Sequence, residues 1–162
     1  MTTMIRIVVA GEAAPFRKKT ASWTAKDGRF GTHAYDEKKY SSWKDQCRYV
    51  AAKEMDGRPP LACPIEFQLR VFFQIPASLS NKKRLLALRG ALRPTTTPDF
   101  DNLAKAAADA ITGICIRDDK YIVDAKIEKW YSDRPRVEMA ISECQFRDLN
   151  QPELGLGLHE GG

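Results

Sequence analysis

Pro98-Asp99-Phe100-Asp101-Asn102-Leu103-Ala104-Lys105-Ala106-Ala107-Ala108-Asp109-Ala110-Ile111 is the stretch on which the reading of this chain turns, and Arg117-Asp118-Asp119 follows it across Gly113. Leucine, alanine and lysine lose little side-chain freedom in a helix, so propensity predicts one over 102–111. Thr95-Thr96-Thr97-Pro98 is an extended lead-in, because the residue before a proline is pushed out of helical angles. Gly113 supplies the stop. Leu103, Ala106, Ala107 and Ala110 recur at three- and four-residue spacing and predict a packing face. Asp101 and Lys105 share another face, one turn apart.

The aspartates admit two readings. Aspartate is a preferred helix cap and negative charge suits a helix N-terminus, so Asp99 or Asp101 can be structural. Asp118-Asp119 can be a solvated turn before a strand. One helix needs only one cap, however, which leaves one of Asp99 and Asp101 unexplained. Carboxylates from two elements can also build a site for a hard cation, Mg²⁺ or Mn²⁺, of the kind that supports phosphodiester hydrolysis. Spacing alone does not bring Asp118-Asp119 back to Asp99. Lys105 reads either as an exposed partner of Asp101 or as a group that positions a phosphate.

Outward from this stretch, 5–9 is a β-branched run and a predicted first strand. Residues 11–34, rich in Gly, Lys, Thr and Ser, are expected to form a loop or irregular basic arm. Residues 35–55 place Tyr40, Trp43, Cys47, Val50, Ala51 and Glu54 at helical spacing, closed by Asp56-Gly57. A core strand is predicted over 65–75, and a short helix runs from a Ser80 cap to Leu88. Strands over 121–130 and 136–142 are expected to form a hairpin through Asp133-Arg134-Pro135. The expected fold is α+β: a small mixed, partly antiparallel sheet of about four strands with two or three packed helices. One domain is assigned to 1–147, with a basic insert at 78–93, and 148–162 is expected to be a disordered tail.

Composition narrows the chemistry. At 162 residues the chain is of single-domain size. No apolar run approaches the roughly 20 residues that span a bilayer, and no cleavable leader is evident, so a cytoplasmic protein without a membrane partner is expected. Four cysteines without a Cys-x-x-Cys pair argue against a zinc ribbon or a disulfide framework. Only two histidines are present, which argues against a Ser-His-Asp triad and a histidine-rich metal site.

The net charge is +5, and residues 67–98 contain no acidic residue at all. That window carries Arg70, Lys82, Lys83, Arg84, Arg89 and Arg93. A basic segment beside a carboxylate cluster suits a polyanion. Lys82, Lys83, Arg84, Arg89 and Arg93 of the insert, with Arg17, Lys18 and Lys19 of the arm, are the expected phosphate contacts; a solvated surface is the equal alternative. Trp43 is assigned to the core and Trp130 to core or interface.

The run from Pro98 to Ile111, then Asp118-Asp119-x-x-Ile122-Val123 and Lys129, resembles the RusA-like Holliday-junction resolvases, over roughly residues 1–145. The resemblance implies a RusA-like fold and an endodeoxyribonuclease that binds branched DNA, a four-way junction, as a homodimer. It further implies symmetric nicks on opposing strands with Mg²⁺. Carried over by position, Asp99, Asp101 and Asp119 look like the metal ligands and Lys105 like the catalytic lysine. Where members usually carry a Pro-rich, Asn-containing loop, this chain has Gly11-Glu12-Ala13-Ala14-Pro15-Phe16-Arg17-Lys18-Lys19. Two other readings compete: a non-catalytic DNA-binding protein on the same fold, and a nuclease acting on flaps or forks.

Overall fold

A computed structural model describes residues 4–16 and 18–145; the expected tail over 148–162 lies outside them. The elements are β1 (Met4–Ala10), β2 (Lys18–Thr24), β3 (Phe30–Asp36), α1 (Lys38–Met55), β4 (Ile65–Gln74), α2 (Asn81–Leu88), α3 (Phe100–Ile111), a 3₁₀ turn (Asp119–Tyr121), β5 (Ile122–Ser132) and β6 (Arg136–Glu143). The expected α+β class holds, with six strands in two sheets.

The main sheet has the order β1-β6-β4-β5. Alternate residues of β1, β4 and β6 are buried: Ile5, Ile7 and Val9; Ile65, Phe67, Leu69 and Val71; Val137, Met139 and Ile141. This period-two pattern turns one face toward the helices. Each such side chain contributes about 1.5–3 kcal/mol on burial. α1 covers that face through Tyr40, Trp43, Cys47, Ala51 and Met55. α3 covers it through the predicted Leu103, Ala106, Ala107 and Ala110, with Ile111. The alanines let α3 approach closely, so Ala107→Leu would overpack the core by about 1–3 kcal/mol.

Two expectations are corrected. β5 and β6 do not form a hairpin: β4 lies between them, parallel to β5 and antiparallel to β6. Residues 133–135 therefore cross the end of β4. Two strand spacings are roughly 9.6 Å, and three extended residues span about that distance. The link is tied down by Gly11 N–H donating to the Pro135 carbonyl at 2.9 Å. Arg136 also donates to Glu138 at 2.6 Å and stacks on Phe72 at 3.6 Å.

The second correction concerns 11–34, which is not an irregular arm. β2 and β3 pair antiparallel along their whole length as a separate two-stranded sheet. Ala25 N–H bonds the Arg29 carbonyl at 2.8 Å across the turn, where Gly28 takes a φ of +84°. A side chain with a Cβ is strained at that angle, so glycine fits there.

Candidate active site

The entry to α3 is held from the sheet. Lys129, on β5, donates from Nζ to the carbonyls of Thr96 and Pro98, the latter at 3.0 Å. Asp99 follows at the N-cap position with extended backbone angles, yet its carboxylate makes no capping bond. Asp101 lies in the first helical turn. Both side chains are exposed, and neither has a hydrogen bond or ion pair among the described residues. Capping by side chain does not account for either of them. Favourable charge at the positive helix end remains, worth about 0.3–1 kcal/mol.

Lys105 departs from expectation. Its ammonium pairs with Asp109, one turn ahead, at 3.7 Å, and not with Asp101. It also lies 4.9 Å from the centre of the Phe16 ring. Phe16 packs edge-on against Tyr40, whose hydroxyl donates to Asp109 at 3.2 Å. Lysine's long stem reaches forward as easily as backward, and the Phe16 face rewards the forward direction. The same four-residue spacing that suggested Asp101 pointed equally to Asp109.

Asp118 and Asp119 differ in role. Asp118 accepts from the Lys120 amide at 3.1 Å and caps the 3₁₀ turn. That amide, opposed by desolvation and aided by the Lys120 charge and Asp119, holds its carboxyl below the usual range. Asp119 opens the turn and is exposed. The turn is anchored upstream, where Leu61 N–H bonds the Cys115 carbonyl and Arg117 N–H bonds the Leu61 carbonyl, both at 2.9 Å.

The two acidic groups stand at opposite ends of α3. Twelve residues at about 1.5 Å each make a spacer of roughly 18 Å. β5 gives the same answer, because it begins three residues after Asp119, while Lys129, which holds Pro98, lies seven residues further along. All three carboxylates are hard oxygen donors of the type Mg²⁺ takes. Among the described residues, however, there is no group of three or more acidic, histidine or cysteine side chains able to hold a metal. The three-carboxylate set does not assemble in a single copy.

The family model described as Endodeoxyribonuclease RusA matches residues 12–142. The chain belongs to the RusA family. Over 143 residues it is 36% identical to the uncharacterized protein YqaN of Bacillus subtilis (strain 168), covering 86% of this chain and 96% of that one. RusA membership makes it one of a family of endodeoxyribonucleases, and the match takes in Asp99, Asp101, Lys105 and Asp119.

The RusA fold divides the basic residues into distinct settings. Lys82, Lys83 and Arg84 lie on α2, the first two exposed; the Lys83 N–H donates to the capping Ser80 hydroxyl at 3.4 Å, as the sequence predicts. Arg89 is exposed at the end of α2. Arg93 is engaged inward: it donates to the Lys129 carbonyl at 2.6 Å and its guanidinium sits 3.2 Å from the Trp130 ring centre. Lys19 pairs with Glu37 at 3.2 Å. Arg17 and the Lys18 side chain lie outside the described residues. Trp43 is in the core as expected. Among the described residues no helix is long and apolar enough to cross a membrane.

Proposed function

We propose that this chain is a Mg²⁺-dependent, structure-selective endodeoxyribonuclease that acts as a homodimer and resolves four-way DNA junctions by paired symmetric nicks. The observation that carries the reading is the pair of exposed, unpartnered carboxylates, Asp99 and Asp101, in a RusA-family chain. Acids left bare toward a polyanion are costly to DNA binding unless a cation joins them. Asp99, Asp101 and Asp119 are the residues proposed to hold Mg²⁺ or Mn²⁺. Lys105, half exposed at the side chain, would exchange Asp109 for a DNA phosphate and orient it. Lys82, Lys83, Arg84 and Arg89 would meet the backbone of the junction arms without reading sequence.

A second reading, a DNA-binding module without catalysis, draws support from the incomplete carboxylate set within one copy. Cleavage of a labelled four-way junction beside a matched duplex, with Mg²⁺ and with EDTA, separates the two. Paired nicks on the junction alone, abolished by EDTA, are expected. A junction bound but uncut in Mg²⁺ and in Mn²⁺ would leave the binding module. Asp101→Asn should reduce cleavage by orders of magnitude while junction affinity, resting on Lys and Arg, stays within about threefold.

A further inference from the structure

We infer that the β2–β3 ribbon is a binding site for unpaired nucleobases, with one face a stacking platform made by Trp23, His33 and Tyr35. The inference rests on the DNA-directed reading above and adds to it a substrate feature, strands that have come apart. In the register of the ribbon Trp23 pairs with Gly31, Ala21 with His33 and Lys19 with Tyr35. Cross-strand partners share a face and alternate residues return to it, so all three ring side chains stand on the same side. Trp23 is 47% exposed and Tyr35 46%, and His33 is exposed as well. The His33 and Tyr35 rings lie 6.0 Å apart. Gly31 seats the third ring: a Cβ there would fall 2.7 Å from the Trp23 indole, so the indole lies over the glycine. A glycine inside a strand often marks such a close approach.

These rings do not serve the core. Among the described residues the ribbon meets the other strands and helices only through isolated contacts. What suits a row of exposed rings is a ligand with flat faces. A duplex hides the faces of its bases between neighbouring pairs, whereas a single strand or an opened branch presents them. The charges agree: Lys26 is exposed at the turn, Asp27 beside it is matched by Arg29 at 2.7 Å, and Lys38 and Lys39 are exposed where β3 passes into α1. The ribbon is also rooted beside the proposed active site. Phe16, just before β2, donates its N–H to the Asn102 carbonyl at 3.3 Å and carries the Lys105 ammonium over its ring. From Tyr35 near this root to Gly31 beneath Trp23, residue steps of about 3.4 Å make a track of roughly 14 Å. A strand whose phosphate meets Lys105 can lay its next unpaired bases along that track.

The test is binding in EDTA, where nothing is cut, to three labelled probes: oligo(dT), a four-way junction with unpaired thymines at its centre, and a fully paired duplex. Trp23→Ala with Tyr35→Ala should weaken oligo(dT) and the open junction by about tenfold or more. Duplex affinity, resting on Lys and Arg, should stay within about twofold. Tryptophan fluorescence of the wild type should be quenched by oligo(dT), and Trp23→Ala should abolish the quenching. Gly31→Ala keeps every ring but displaces the indole, and should weaken oligo(dT) binding with duplex affinity unchanged. Both variants should unfold at the wild-type midpoint, because the ribbon stands apart from the core. Equal losses on duplex and oligo(dT), oligo(dT) binding indifferent to the rings, or a change in unfolding midpoint or oligomeric state on removing them would each overturn the platform. A wild type that stacks oligo(dT) in this way yet cuts no DNA in Mg²⁺ would sink the nuclease reading and leave the platform standing.

Discussion

The ammonium of Lys129 is bonded to the carbonyl of Pro98 at 3.0 Å, so the strand that begins just after Asp119 ends by holding the residue before Asp99. Lys129 is thus a positioning residue for the first carboxylate pair. Lys129→Met keeps an unbranched apolar stem in place of the lysine's but removes both bonds to the lead-in. Stability should fall by about 1–2 kcal/mol, and cleavage should fall about tenfold or more through misplacement of the acids. Junction affinity should not change. Equal losses in cleavage and affinity would contradict the positioning role.

Arg93 and its neighbours on the basic insert make opposite predictions. Arg93→Ala removes the stack on Trp130 and the bond to the Lys129 carbonyl, and should cost about 1–2 kcal/mol in thermal or urea unfolding. Its effect on the salt dependence of DNA binding should be slight. Lys82→Ala with Lys83→Ala should leave unfolding unchanged and lower the salt slope of junction binding by about two. A reversal of these two patterns would assign Arg93 to DNA and the lysines to the fold.

Asp118 and Asp119 should separate cleanly on substitution. Asp118→Asn keeps an oxygen that accepts from the Lys120 amide, and cleavage should persist. Asp119→Asn should abolish cleavage with the fold intact. The Asp118 carboxyl is held below its ordinary value of 3.8, chiefly by the Lys120 amide. A depressed folded value stabilises at neutral pH and is lost as pH falls through it. Any stability gap between wild type and Asp118→Asn should therefore close below about pH 4.

Burial pushes the Cys47 thiol from 9.0 up to about 12 and the Cys115 thiol to about 11, the latter partly offset by Arg58. A raised folded value stabilises below the unfolded value and is lost as pH climbs toward the folded one. Unfolding measured between pH 9 and 12 should therefore show declining stability, and Cys47→Ala should flatten part of that decline. In the native state Cys47 should resist a thiol reagent that labels Cys63 or Cys144, which are partly exposed.

The helix carrying the acids was legible because alanine propensity, a proline before it and a glycine after it all agree. So were the packing face of α3, the Ser80 cap and the alternation in β4 and β6. The β2–β3 sheet was hidden because the described side chains of these two strands are largely exposed, so neither face imposes an apolar period; Asp27-Gly28 and Gly31 signalled only a turn. The order of the main sheet was hidden for another reason. Tight linkage between β5 and β6 suggests adjacency, but β4 offers alternating large apolar residues to strands on both sides and takes the centre. Whether Asp119 returns to Asp99 depended on the path after Gly113, which no local pattern encodes.

The position of β6 has a consequence for how the chain is made. Among the described residues β1 pairs with β6 alone, with Met4 opposite Ser142 and Ala10 opposite Arg136. During synthesis the first strand must therefore wait, unpaired, until nearly the whole domain has left the ribosome. Such distant pairings are slow to form, and an idle apolar strand is open to wrong partners meanwhile. A nascent chain halted before β6 should remain protease-sensitive throughout, however well α1 and α3 have already formed.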